Sequence, residues 1–543
     1  MINIVLLFFQ IRLSICAISL TKYDNSQFIP NANSYFLNNF QVSSQYECIC
    51  RCYAAPNCLT VTLFGINGTC SLYSSQIQLG SLRLTMYTAN SAVISFPDRI
   101  STTTSTSTYT TTTNAYCGST CLNTTVSRLS SVAFYTFDNS TLDSVGNYSM
   151  KGNFTPSYVP GWIGSAINFT HSSQYLSTTH IPLDSRSFTI DFWFYATDLT
   201  SFTDFGFAGE CDSSSTDQCL LLNIRNRKLR LVFFSDDTAG TKNLAENKWY
   251  HATFVYDSTV KQQLIYLDGV LDNINTINNN FAATVAPFTI GGGPIGGDTQ
   301  PFVYYSGYID HFGITYRVKT PCEIYLNAIL FCYFPFDPAS FLSDSGPNYL
   351  SATNSNATQT TGRVNQGVQF SSLSSYITIS GVNVLNALNN PFTISMWIKP
   401  MNLTGGGTLI HTSTQSDGLD SCFASWGFSS NGSFIVNFLD SLGNAIPMTL
   451  SSPFPLNQWT HVVQVFNSSN GNYLYMNGNL VTSASLYARA PIGSYVFLGS
   501  SPVISSSCKS GSISMGQFFG VIDEFYVFSR ALTSTDICRL ANP

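Results

Sequence analysis

The sequence predicts a mainly β protein, with two tandem antiparallel β-sandwiches of the jelly-roll type behind a small disulfide-stapled α+β domain. Three observations carry this. Most of the chain beyond residue 130 is written twice, motif by motif. Its apolar residues alternate with a period of two. Asp-Gly and Asn-Gly pairs separate alternating runs, as two-residue hairpin turns require.

The N-terminal run MINIVLLFFQIRLSICAISL is apolar and ends in small residues, Ala17 and Ser19, the pattern of a secretory signal peptide over 1–19. Gln10 and Arg12 interrupt it well short of the roughly 20 apolar residues of a membrane span, so no integral membrane segment is expected in the mature chain. Retention at a membrane by an uncleaved N-terminal segment is the alternative. Residues 20–96 hold Cys48, Cys50, Cys52, Cys58 and Cys70 beside one alternating run, LTVTLF. A domain this small needs such staples, because its core alone supplies little. Cys48 and Cys52, four apart, would share one face of a short helix. Residues 97–116 enclose STTTSTSTYTTTT, which contains nothing to pack and reads as a linker, either an O-glycosylated stalk or a plain tether.

The duplicated domains are placed at 117–324 and 325–543. VAFYTFD (132–138) returns as FCYFPFD (331–337), and FTIDFWF from Phe188 returns as FTISMWI from Phe392. WYHATFVYD from Trp249 matches WTHVVQVFN from Trp459, and the ending GYIDHFGITYRVKTPC from Gly307 matches GVIDEFYVFSRALTSTDIC from Gly520. In FTIDFWF, Phe188, Ile190, Phe192 and Phe194 share one face, and Thr189, Asp191 and Trp193 the other. Asp268-Gly269 and Asn477-Gly478 are the hairpin turns. The chain offers no comparable helical periodicity.

With 10% charged residues and a net charge of -6, the chain offers no basic surface for a phosphate backbone, so nucleic acid is excluded as a partner. Of 15 cysteines, Cys16 would leave with the signal, and the even remainder fits export to an oxidising compartment. Asn-x-Ser/Thr sequons, at Asn139 and Asn153 among others, are as frequent as this composition produces by chance. They permit glycosylation without arguing for it.

The F-T-I-x-x-W motif, the W-x-H strand, the hairpin turn and the terminal G-x-I-D-x-F, in order and twice, resemble the laminin G-like, concanavalin A-like jelly roll. The resemblance implies that the last strand of each copy lies beside its first. On that footing Cys332 is expected to pair with Cys538 and Cys121 with Cys322, while Cys211 with Cys219 and Cys422 with Cys508 read as loop staples. The segment ECICRCYAAPNCLTVTLFGINGTCSLY resembles an apple or PAN module, a likeness that implies Cys48–Cys70 and Cys52–Cys58 and leaves Cys50 to reach Cys117.

Similar jelly rolls hold a structural calcium near the seam, and Asp310 and Asp523 on the final strands, with Asp143 and Asp344 after the first strands, are the ligands that likeness implies. The competing reading makes Asp143 and Asp344 shape Asx turns and Asp310 and Asp523 cap strand ends. No catalytic residues are assigned. A retaining glycosidase needs two carboxylates about 5.5 Å apart, and Asp191 stands alone on its strand, replaced by Ser395 in the second copy. Glu210 and Asp212 have the right spacing but flank Cys211 in a loop. His251 and His461 follow a Trp without a proposed partner, and Trp193 and Trp397 are read as core. The resemblance implies a secreted, non-catalytic recognition protein for extracellular glycans or glycoproteins, with an adhesive spacer and a glycoside hydrolase as the alternatives. Oligomeric state is left open.

Overall fold

The computed structural model describes residues 120–543 apart from 171–172, 200–203, 212–216, 284, 295–301, 451–453, 486–488, 491 and 504–506, and seven strand segments between residues 21 and 95. The expected signal peptide, the linker, Cys48, Cys50, Cys52, Cys58, Cys117 and Asp212 lie outside the described residues. The chain divides into two compact units, Met1–Ser119 and Thr120–Pro543. In the first, five strands form an antiparallel sheet in the order Thr21–Asp24, Ala92–Ser95, Thr60–Phe64, Thr69–Tyr73, Phe36–Gln41, and Ser26–Pro30 pairs with Gly80–Leu84. Cys70 there is buried and disulfide-bonded.

The second unit contains two sandwiches of one topology. Phe188, Ile190, Phe192 and Phe194 all face a buried core, because their strand (Phe188–Ala196) lies centrally in an eight-stranded sheet facing a seven-stranded one. Its neighbours are Trp249–Asp257 and the last strand, Gly307–Thr315, and the first strand, Ser131–Tyr135, pairs with that last strand. The second sandwich repeats this order with Phe392–Asn402 at the centre, flanked by Thr460–Asn467 and Phe519–Phe528, and with Leu330–Phe334 beside the last strand. Both hairpin turns have positive φ at both central residues: 51° and 77° at Asp268-Gly269, 48° and 80° at Asn477-Gly478. In each, the turn side chain accepts the N–H of the neighbouring strand's histidine, His251 or His461, at 2.9 Å.

The repeated I-D-x-F breaks the period of two, and the fold explains why. Ile309 and Phe312, and likewise Ile522 and Phe525, reach the same core although they are three apart. The residue between, His311 or Glu524, has positive φ (48° and 51°) and forms a β-bulge against the central strand.

The outer faces of the large sheets are buried as well. Thr320 and Glu323 form a capping box that starts helix α1 (Pro321–Ile329), with proline at its first position. Ile324 packs on Val255 and Tyr266 of the first sandwich, while Leu326 and Ile329 join Val463, Val465 and Phe528 of the second. The connection between the copies is thus a helix pressed between two sheets, which makes the sandwiches one compact unit. Helix α2 (Asn383–Asn386) is a single turn in the second sandwich, and helix α3 (Ser534–Leu540) covers the outer face of that sandwich, where Leu540 O accepts from Trp397 Nε1 at 3.3 Å.

Cys121–Cys322, Cys211–Cys219 and Cys422–Cys508 are bonded. The expected Cys332–Cys538 bond is a correction: Cys332 is a buried free thiol and Cys538 is bonded elsewhere. The sheet itself separates them. Cys332 points into the core between the sheets, whereas Cys538 sits on α3, which packs on the outer face.

Candidate functional site

Polar side chains from both sandwiches meet where the two pack. Arg128 donates to Asp344 O at 2.8 Å and Gly346 O at 2.9 Å and lies 3.6 Å above the Tyr349 ring. His311, aimed by its bulge, bonds Asp310 Oδ1 through Nδ1 at 2.6 Å and Asn348 O through Nε2 at 3.0 Å. Asn348 O only accepts, so Nε2 donates, while Nδ1 shares a proton with the Asp310 carboxyl, and protonation of both nitrogens gives the ring a charge. Burial opposes that charge, but the Asp310 carboxylate outweighs it and raises the His311 pKa. Beneath lies a buried pair, Lys319 Nζ on Asp191 Oδ2 at 2.5 Å, with the Asn327 amide oriented to accept from Lys319 at 2.8 Å and donate to Glu323 O at 3.1 Å. The space enclosed by these groups is about 40 Å³, enough for a water and too small for a sugar.

A larger opening lies at the edge of the same junction. The hairpin joining Ser157–Pro160 to Ser165–Phe169 in the first sandwich faces α2 and the start of the strand Tyr495–Leu498 in the second, across a cleft of about 540 Å³. That volume falls in the usual range of small-ligand sites. Its walls carry Asn139, Ser165, Asn383, Asn386, Thr414 and Ser494, with Tyr158 and Tyr495, and no charged side chain among the lining residues. Asn383 closes the floor by donating to Gly161 O at 2.9 Å and Gly164 O at 2.7 Å, and Gly164 N donates to Gly381 O at 3.2 Å. Behind α2 the buried Arg489 guanidinium donates to Leu385 O at 2.8 Å and Val384 O at 3.1 Å, holding that wall in place. On the other side, Asp310 Oδ2 accepts from Ile163 N at 2.9 Å, which pins the hairpin to the last strand. A side chain at Gly161 would meet that oxygen at 2.6 Å, so the turn requires glycine there.

The residues expected to hold calcium are engaged otherwise. Asp143 accepts from Phe134 N and Val145 N through Oδ1 and from Tyr148 N through Oδ2, each at 3.0 Å. Asp344 Oδ1 accepts from Tyr333 N at 2.8 Å and Gly346 N at 2.7 Å, while burial lifts its pKa to about 6. Asp523 Oδ2 accepts from Arg363 N at 2.7 Å and Val364 N at 2.9 Å, the counterpart of Asp310 on Ile163. The two carboxylates of a copy therefore hold different backbone segments, through amide hydrogens whose positive ends a cation would face. Asp344 Oδ2 is buried without a hydrogen-bond partner among the described residues. Among the described residues no group of three or more His, Cys, Asp or Glu side chains is placed to hold a metal ion.

Glu210 is buried with Oε1 on His180 Nδ1 at 2.7 Å and Oε2 accepting Ile181 N at 3.2 Å, and burial raises its pKa to about 8. His251 packs on Trp193 and His461 on Trp397, and burial lowers their pKa values to about 4 and 3. In the second copy Ser395 Oγ lies 2.8 Å from His461 Nε2, a pair on one sheet face that alternation alone makes visible. Sequence reasoning did not find the cleft, whose walls come from segments more than 200 residues apart.

The family described as the concanavalin A-like lectin/glucanases superfamily matches residues 170–325 and 370–538. Domain 4 of an extracellular GH43 arabinanase from Geobacillus stearothermophilus, solved in complex with arabinotriose, is 21% identical, with 36% of this chain and 96% of that one covered and a TM-score of 0.30. Domains LG4-5 of the mouse laminin alpha1 chain are 13% identical over 70% of this chain and 94% of that one, at a TM-score of 0.24. The binding domain of botulinum neurotoxin serotype G is 16% identical at a TM-score of 0.31; the match covers 39% of this chain and spans half of the toxin domain, 50%. No curated protein matches the chain.

Proposed function

Because the chain belongs to the concanavalin A-like lectin/glucanases superfamily, we propose that it is an exported, non-catalytic recognition protein that holds neutral glycans of extracellular glycoproteins in the cleft between its sandwiches. The observation that carries this reading is the chemistry of the walls: amides, hydroxyls and two tyrosines, with no charge. Sugar hydroxyls need donors and acceptors in mixed supply, which Asn, Ser and Thr provide. The C–H faces of a sugar ring need a flat apolar surface, which a tyrosine ring provides while its hydroxyl stays wet. An anionic ligand would call instead for arginine or lysine.

Hydrolysis of a glycosidic bond needs two carboxylates flanking it, and the cleft walls bring none. Three disulfides among the described residues support an oxidising compartment. No helix among the described residues is long and apolar enough to cross a membrane. The apple-like reading of residues 20–96 remains part of this proposal, as a separate module ahead of the recognition unit.

The test is a panel of immobilised neutral and anionic glycans probed with the full chain, with Tyr158→Ala and with Tyr495→Ala. Saturable binding to neutral glycans, weakened at least severalfold in both variants, supports the reading. Absence of saturable binding returns the protein to an adhesive spacer, and product release would make it a hydrolase.

A further inference from the structure

We infer that Asn139 is an N-glycosylation site whose glycan is rooted in the cleft and competes there with external ligand. The inference rests on the reading of the cleft as a glycan site. Asn139-Ser140-Thr141 is a sequon, and Asn139 is exposed at the cleft wall with its Nδ2 3.5 Å from Ser165 Oγ, another wall residue. Of the sequon asparagines among the described residues, it alone lines the cleft.

Another sequon of the first sandwich makes the contrast. Asn153 is also a sequon, but its Nδ2 donates to Ser173 O at 2.6 Å and its Oδ1 accepts from Tyr175 N at 2.9 Å, so the native fold uses both ends of that amide. Among the described residues Asn139 Nδ2 has only the long contact to Ser165, so a substituent on the nitrogen breaks no strong bond there.

The modification joins Asn139 Nδ2 to the anomeric carbon of an oligosaccharide. That carbon's bond to a lipid diphosphate carrier breaks, the diphosphate leaves with the electron pair, and Nδ2 gives up one proton to the transferring enzyme. A glycan fixed at this wall begins inside the recognition surface, so its first sugars meet the same amides, hydroxyls and tyrosines that an external glycan would use. It acts as a tethered competitor. At an effective concentration on the order of millimolar, a tethered glycan that fills about nine clefts in ten leaves about one in ten open and reduces apparent affinity about tenfold.

The experiment uses the full chain secreted from a glycosylating host. Peptide mapping after enzymatic glycan release in heavy-oxygen water reads occupancy at Asn139. The glycan panel is then probed with the native protein, with unglycosylated protein of the same sequence from a host that forms disulfides but does not N-glycosylate, and with Asn139→Gln. The expected result is an occupied Asn139 and about tenfold tighter binding by both glycan-free forms. An unoccupied Asn139, or equal binding by all three forms, overturns this inference and leaves the cleft reading standing. Failure of the glycan-free forms to bind anything overturns the cleft reading, and this inference with it. The unglycosylated protein, which keeps Asn139 as asparagine, keeps the test valid if Asn139→Gln misfolds.

Discussion

The two hairpin glycines provide an internal control on the packing of helix α1. Gly269 and Gly478 occupy the same position of the same turn with nearly the same φ, 77° and 80°, so replacing either by alanine carries the same left-handed backbone cost of about 1–2 kcal/mol. Their surroundings differ. A Cβ at Gly269 would lie 2.9 Å from Tyr325 Cα and 3.1 Å from Ala328 Cβ, both on a helix held between two sheets. A Cβ at Gly478 would meet Ala541 Cβ at 3.4 Å, an ordinary contact near the chain end. Overpacking adds about 1–3 kcal/mol only at the first site. Gly269→Ala is therefore expected to destabilise by about 2–5 kcal/mol and Gly478→Ala by about 1–2 kcal/mol. Urea denaturation of the full chain, followed by tryptophan fluorescence, reads the difference as a shift in midpoint. Equal shifts, or a larger one for Gly478→Ala, would refute the placement of α1 between the sandwiches.

Other outcomes follow from the same contacts. Arg128→Ala removes two charge-assisted bonds and a ring contact from an exposed side chain, and is expected to cost roughly 1–2 kcal/mol and to increase proteolytic cleavage near residues 344–349. Burial raises Glu210 to about 8 and Asp523 to about 7, so the native state holds their protons more tightly than the unfolded chain; that stability is lost as pH rises through these values. The buried His251 and His461, depressed to about 4 and 3 by burial, act only below 6.5, in the opposite sense. The melting temperature should accordingly fall between pH 6.5 and about 9, and Glu210→Gln should flatten the fall. Cys332 should be alkylated only after denaturation, whereas Cys322→Ala, by opening the 201-residue loop to Cys121, should cost about 2–4 kcal/mol. A chelator should leave the melting temperature of the described unit unchanged, since both carboxylate oxygens of Asp143, Asp310 and Asp523, and Oδ1 of Asp344, are engaged in hydrogen bonds.

Much of the fold was legible because it repeats. The duplicated phrases, the FTIDFWF alternation and the Asp-Gly and Asn-Gly turns each specify local geometry, and each appears as a strand or turn of that kind. The bulge was written in the sequence too, as the three-residue step from Ile309 to Phe312 that violates strand periodicity. Helix α1 carried its own signature, Thr320-Pro321-Cys322-Glu323, which an expectation of strands alone passed over. The Cys332–Cys538 expectation failed because pairing was judged from strand adjacency, without asking which face of the sheet each cysteine occupies. The cleft had no local signal. Asn139, Asn383 and Tyr495 become neighbours only because His311, Arg128 and α1 weld the copies together, and nothing in an Asn or a Ser marks it as a binding residue until its neighbours are known. The two copies thus build one composite cleft at their junction.

Hydrogen exchange of the full chain, with and without the neutral glycan selected from the panel, tests the central claim most directly. The account predicts protection confined to the cleft walls, residues 158–165, 383–387 and 494–495, and the same protection in the presence of a chelator. Protection at the far loops of either sandwich, with these three segments unchanged, would contradict it.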